Sequence, residues 1–194
     1  MIRAMRRLSA GFVLLLAASG QAQAAGADAP SLIATQSEIS FISRQMGVPI
    51  TGSFRSFDAQ VSFDPTNPQK GRFTIGVDVG SVQLPTADAM EEVVRPDWFD
   101  APHFPRAVFD SNAIRLLERG RYEVAGRLSI KGHALDVVVP VALEQSGTLT
   151  VASGAFMVRR LAFAIGEGEW ADTSLVADEV QIRFRIALTG IGPI

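Results

Sequence analysis

The chain has 194 residues, no cysteine, and a formal charge of −2 from 18 Lys and Arg against 20 Asp and Glu. The missing cysteines exclude a disulfide framework and thiolate-based metal or redox chemistry. A mildly acidic chain without a basic cluster carries no electrostatic footprint for nucleic acid.

The first element is a targeting segment. Arg3, Arg6 and Arg7 precede an apolar run over 12–18, and Ala22-Gln23-Ala24 supplies the small-x-small pattern of a cleavage site. This predicts a secretory signal peptide over 1–24, cut after Ala24. Its apolar run is too short to cross a bilayer. Arg6-Arg7 leaves the general and twin-arginine routes both open. Loss of those three arginines takes the charge from −2 to −5 for the mature chain. Residues 25–34 are small and polar and are expected to form a flexible arm. A single domain over 35–190 follows.

From there the pattern is period two. Ile39 and Phe41 begin it, followed by Ala59, Val61 and Phe63, then Phe73, Ile75, Val77 and Val79. Ala107 and Phe109 open a further run. Tyr122, Val124, Gly126, Leu128 and Ile130 form the next, and Val180, Ile182, Phe184, Ile186 and Leu188 the last. Each run alternates with polar neighbours, as half-buried antiparallel strands do. Turn residues separate the runs: Asp64-Pro65-Thr66-Asn67-Pro68, Glu118-Arg119-Gly120, Gln145-Ser146-Gly147 and the stretch 166–169. One segment departs from this. Met90, Val93 and Val94 fall at helical spacing over 86–95, with Thr86 as N-cap and Pro96 as stop. Trp98, Phe99 and Phe104 follow, so this helix with an aromatic tail suits one mouth of a barrel. The expected fold is all-β, an eight-stranded antiparallel barrel with one short helix at its mouth. A barrel of that size either fills its interior or encloses one small ligand, and periodicity leaves both open.

Four blocks in order carry a family resemblance. The stretch 39–57 contains Phe41, Arg44-Gln45-Met46-Gly47 and Gly52-Ser53-Phe54-Arg55-Ser56-Phe57. Then come Phe63-Asp64-Pro65 with Asn67-Pro68, and Asp97-Trp98-Phe99-Asp100 with Phe104-Pro105 and Phe109. The last is Tyr122-x-Val124-x-Gly126-x-Leu128-x-Ile130-Lys131-Gly132. Together they resemble the YceI-like family over roughly 35–190. Gln45 and Lys131 stand where many members carry histidine. The loop 166–174 resembles a branch close to domains associated with b-type cytochromes. The resemblance implies a lipocalin-like barrel in the periplasm. It also implies a polyisoprenoid lipid, such as an isoprenoid quinone, held in an apolar interior, with no cofactor besides that cargo.

If the interior holds such a lipid, the inward positions line it: Phe41, Phe63, Phe73, Ile75, Phe109, Val124, Leu128, Phe163, Ile182 and Phe184. Met90, Val94, Trp98 and Phe99 would shape the mouth, with Trp170 in the acidic loop formed by Glu167, Glu169 and Asp172. Arg159 and Arg160 read as outward strand positions. His103 and His133 read as exposed loop histidines, and no Gly-x-Ser-x-Gly elbow accompanies them. No catalytic or metal-ligating set is expected. The rivals are an enzyme acting on a lipid, an outer-membrane barrel, and a filled-barrel module serving a membrane-bound b-type cytochrome. The one tyrosine and two tryptophans are too few for the aromatic girdles of an outer-membrane barrel. The partners expected are an apolar lipid, transient contact with the inner membrane or a b-type cytochrome, and at most a second copy of the chain.

Overall fold

The computed structural model describes residues 29–194; the predicted signal segment lies outside the described residues. The strands are β1 (Ser31–Leu32), β2 (Glu38–Gln45), β3 (Val48–Phe54), β4 (Phe57–Ser62), β5 (Arg72–Asp78) and β6 (Val82–Gln83). After the helix α1 (Ala87–Val93) come β7 (Arg106–Glu118), β8 (Arg121–Ile130), β9 (His133–Ser146), β10 (Leu149–Arg159) and β11 (Glu179–Thr189). They form one curled antiparallel sheet in the order β4-β5-β7-β8-β9-β10-β11-β2-β3-β6, with β1 added to β11.

The ends of this sheet meet through the chain itself. β3 pairs with β2, and after a break at Arg55-Ser56 the same ribbon continues as β4 and pairs with β5. Counting that bent ribbon once, and setting aside the two-residue β1 and β6, leaves the eight strands that the periodicity implied. Tight hairpins set the register. Met46-Gly47 and Lys131-Gly132 each place two successive residues at positive φ (47° and 81°, 47° and 76°). That is the geometry of a two-residue hairpin turn matched to strand twist.

Two local readings change, and two strands are added. The arm over 25–34 is not free where it is described. Ser31 and Leu32 pair with Thr189 and Leu188, and Ile33 N–H donates to the Ala187 carbonyl at 2.8 Å. The helix is shorter than 86–95. Thr86 caps it, its hydroxyl accepting from Ala89 N–H at 3.2 Å, but the helix ends at Val93. Pro96 disfavours helical backbone at Arg95, and the chain turns early. β9 and β10 carry no clear alternation in the sequence. In β9, Val137, Val138 and Val139 run together before Pro140, and neighbouring strands rather than pattern make it a strand.

β7 bends by bulges between Ser111 and Ala113 and between Leu116 and Glu118. The first shifts the inward set from odd to even positions, so that Phe109 and Ile114 both face the interior. Two buried hydroxyls are paired: Ser111 Oγ accepts from Phe73 N–H at 2.7 Å, and Thr150 Oγ1 accepts from Gln145 Nε2 at 3.2 Å.

Candidate functional site: a two-chambered apolar interior

The core side chains surround space rather than filling it. A lower chamber with a cavity volume of about 170 Å³ is walled by β2, β4, β5 and β7 to β11. An upper chamber with a cavity volume of about 160 Å³ lies toward the β8–β9 hairpin and α1. Ile39, Val77, Ala107, Leu128, Phe156 and Ile182 belong to both walls and form a waist where the two adjoin.

The strand pairing explains why space remains. Phe41 lies over Gly52, Phe109 over Gly126 and Phe184 over Gly154, so a methyl group at any of these glycines would collide with the opposing ring. Three aromatic rings are thereby laid along the sheet instead of projecting into the middle. Gly126 therefore opens no space itself, because Phe109 occupies it. Ala59 lines neither chamber, whereas Ala107 does at the waist.

The C-terminal segment lies against the lower chamber. Ile191 is on its wall, and Gln145 Nε2 donates to the carbonyls of Ile191 and Gly192 at 3.2 and 3.1 Å. Tyr122 is 4% exposed on the same wall, edge-on to Phe63 at 5.5 Å. Burial pushes its hydroxyl above the ordinary tyrosine range.

Twelve of the fifteen residues expected from the sequence line a chamber. Phe63, Phe73, Ile75, Phe109, Val124 and Phe184 line the lower one, Phe41, Trp98, Phe99 and Phe163 the upper, and Leu128 and Ile182 both. Met90 and Val94 do not. The shorter helix turns Val93 to the upper chamber instead. Trp170 stands behind the wall, its ring 5.5 Å from that of Trp98.

Arg160 corrects the outward reading. It is 3% exposed and on the wall of the upper chamber. Nε donates to Ala177 O at 3.1 Å, Nη1 to Ile165 O and Gly166 O at 2.8 and 2.9 Å, and Nη2 to Trp170 O and Val176 O at 2.6 and 2.7 Å. All five N–H donors of the guanidinium are thus spent on carbonyls of one loop. Its carbon lies 5.7 Å from the centre of the Trp98 ring. Burial pushes its pKa down from the ordinary arginine value, and Asp178 partly opposes this. An arginine following a strand run reads as solvent-facing in sequence. The backbone carbonyls that hold this one leave no side-chain signature.

The loop after β10 is fastened at further points. Lys131, its side chain 8% exposed, donates from Nζ to Ala164 O at 2.6 Å and pairs with Glu167 at 2.8 Å. Gly166 and Glu167 N–H both donate to Asp97 O at 2.8 Å. Asp172 accepts from Ser174 N–H, and hydrogen bonds from Ser174 hold its carboxyl below the usual range. The acidic loop is therefore a tied cover beside Trp98. His103 is an exposed residue paired with Asp100 at 2.8 Å, and His133 is exposed at the start of β9. Among the described residues no three His, Asp or Glu cluster as metal ligands.

A model of the YceI-like domain matches residues 31–188. The structure of BcnA from Burkholderia cenocepacia is similar, at 42% identity and a TM-score of 0.79, over 81% of this chain and 99% of that one. A polyisoprenoid-binding domain from Saccharophagus degradans shares the fold at 16% identity, with a TM-score of 0.66 over 83% and 98%. A UPF0312 protein of Photorhabdus laumondii is 28% identical over 72% of this chain and 71% of its own length.

Proposed function

The chain belongs to the YceI-like family, and from that premise we propose that it is a periplasmic carrier which holds one polyisoprenoid lipid, such as an isoprenoid quinone, along both chambers without chemical turnover. The observation that carries this reading is the pair of adjoining chambers, whose walls are apolar apart from a few residues. Burial of hydrocarbon gains roughly 25 cal/mol for each Å² removed from water. A long tail therefore needs no special chemistry, and ordering it returns part of the gain. The polyisoprenoid binding of the Saccharophagus domain supports a polyisoprenoid cargo here. The basic head, apolar run and Ala22-Gln23-Ala24 support export.

The test is composition. Protein exported in its host and purified without detergent is extracted with organic solvent, and the extract is analysed by mass spectrometry. The expected result is about one isoprenoid lipid per chain. An extract free of lipid, together with no uptake by the stripped protein, would refute the proposal.

A further inference from the structure

The barrel wall is unevenly zipped. β8 pairs with β9 along its whole length, from Arg121 and Ala142 to Ile130 and His133. β10 pairs with β11 from Thr150 and Leu188 to Arg159 and Glu179. Between these two hairpins, β9 and β10 pair only from Ser146 and Leu149 to Ala142 and Ser153. Above that point residues 133–141 and 154–159 run on without a ladder between them. Proline cannot donate to a ladder and belongs at a strand edge, and Pro140 stands two residues beyond the last pair.

This seam borders the upper chamber. The chamber wall takes Leu128 and Ile130 from β8 and Phe156 and Val158 from β10, but no residue from β9 between them. Val137 packs across the seam, against the cluster of Leu128, Val158, Phe163 and Ile165. The two ends of the interior are held more firmly. Arg160 ties the loop at the upper end, and Gln145 ties the C-terminal segment at the lower one.

Outside the seam, apolar groups meet water. Extending the register in which Ala142 opposes Ser153 sets Val138 opposite Met157, and these are 55% and 52% exposed. Leu135 on the same strand is exposed as well. Arg127, Arg159 and Arg183 border this rim, against Asp136 and Glu179. A border with more positive than negative groups, on a mature chain expected to carry −5, suits anionic phospholipid. The three apolar side chains expose far less than the roughly 800 Å² that each partner buries in a stable protein interface, so the rim does not fit a second copy.

We propose that the β9–β10 seam is a lateral gate, which docks on an anionic bilayer surface and passes the cargo's tail sideways between membrane and upper chamber. A tail on this route stays among hydrocarbon, whereas one crossing water forfeits roughly 25 cal/mol for each Å² exposed. Opening parts the packing of Val137 and leaves the paired ladders intact. This rests on the carrier reading and adds to it the route of the cargo and the docking face.

The absence of cysteine lets the gate be locked selectively. Val138→Cys/Met157→Cys is bridged with a short bis-maleimide, and Ala142→Cys/Ser153→Cys, across the paired part of the same seam, is bridged as the control. Mass spectrometry confirms each bridge. Uptake of menaquinone-4 from phosphatidylglycerol vesicles into stripped protein is followed by quenching of tryptophan fluorescence. The bridge at 138 and 157 should slow uptake at least about tenfold relative to its unbridged form, and the control bridge should change it by less than about twofold. Val138→Glu/Met157→Glu should slow uptake from vesicles by about tenfold and keep equilibrium affinity within about twofold. Unchanged uptake after bridging at 138 and 157, or equal slowing by both bridges, would overturn the gate. Undiminished uptake by the glutamate variant would overturn the docking face. So would a wild-type dimer that the glutamate variant abolishes, which marks the rim as a contact between copies. Failure of the wild type to take up the quinone at all removes the carrier reading itself.

Discussion

Tyr122 is the only tyrosine in the chain and lies on the lower wall. Its hydroxyl pKa is raised by burial, so the folded state favours the neutral phenol. The stability this contributes is present below the unfolded value of about 10 and is lost as pH rises through the higher folded value. Tyrosinate absorbance should therefore titrate with a midpoint above about 10 and coincide with alkaline loss of structure, and Tyr122→Phe should remove that step; a midpoint at the free value would contradict its burial. Large inward residues such as Phe63 and Leu128 were legible because alternation with polar neighbours marks a face. Arg160 was not. What decides it is the presence of carbonyls brought from distant points, and side-chain type alone does not encode this.

At the scale of elements, the strands with clean alternation were legible and those without it were not. β8 and β11 alternate; Val137-Val138-Val139-Pro140 in β9 does not, because both faces of that strand carry apolar groups. The helix at the mouth was placed correctly by Thr86, and its face was misread by one residue because it stops at Val93. The loop after β10 depends most on a single side chain. Its carbonyls from Ile165 to Ala177 converge on Arg160. Arg160→Met should cost about 3 kcal/mol in urea unfolding, since it strands carbonyls that the buried cation satisfied. It should also make the segment 165–177 the first site of proteolysis. Arg160→Lys should not restore either property, because an ammonium offers three donors in a different geometry. Wild-type stability in Arg160→Met would show that the loop stands without its hub.

For the whole molecule, the sheet's curl and the bend between β3 and β4 matter more than any one contact. They bring the strands around a long interior, and cross-strand glycine–aromatic pairs keep that interior open. Alternation predicted the barrel and left the cavity undecided, because inward side chains look the same whether they meet or stand apart. The central claim is that the two chambers act as one channel joined at the waist. Ala107 is the small residue there. The direct measurement is affinity against isoprenoid tail length for wild type and Ala107→Phe. In wild type, affinity should climb with each added unit until both chambers are filled, at up to roughly 0.8 kcal/mol per buried methylene. In Ala107→Phe the climb should stop at the length that one chamber holds, with short tails bound as before. Identical curves for the two proteins, or a wild-type curve that is flat from the shortest tail onward, would contradict a single continuous channel.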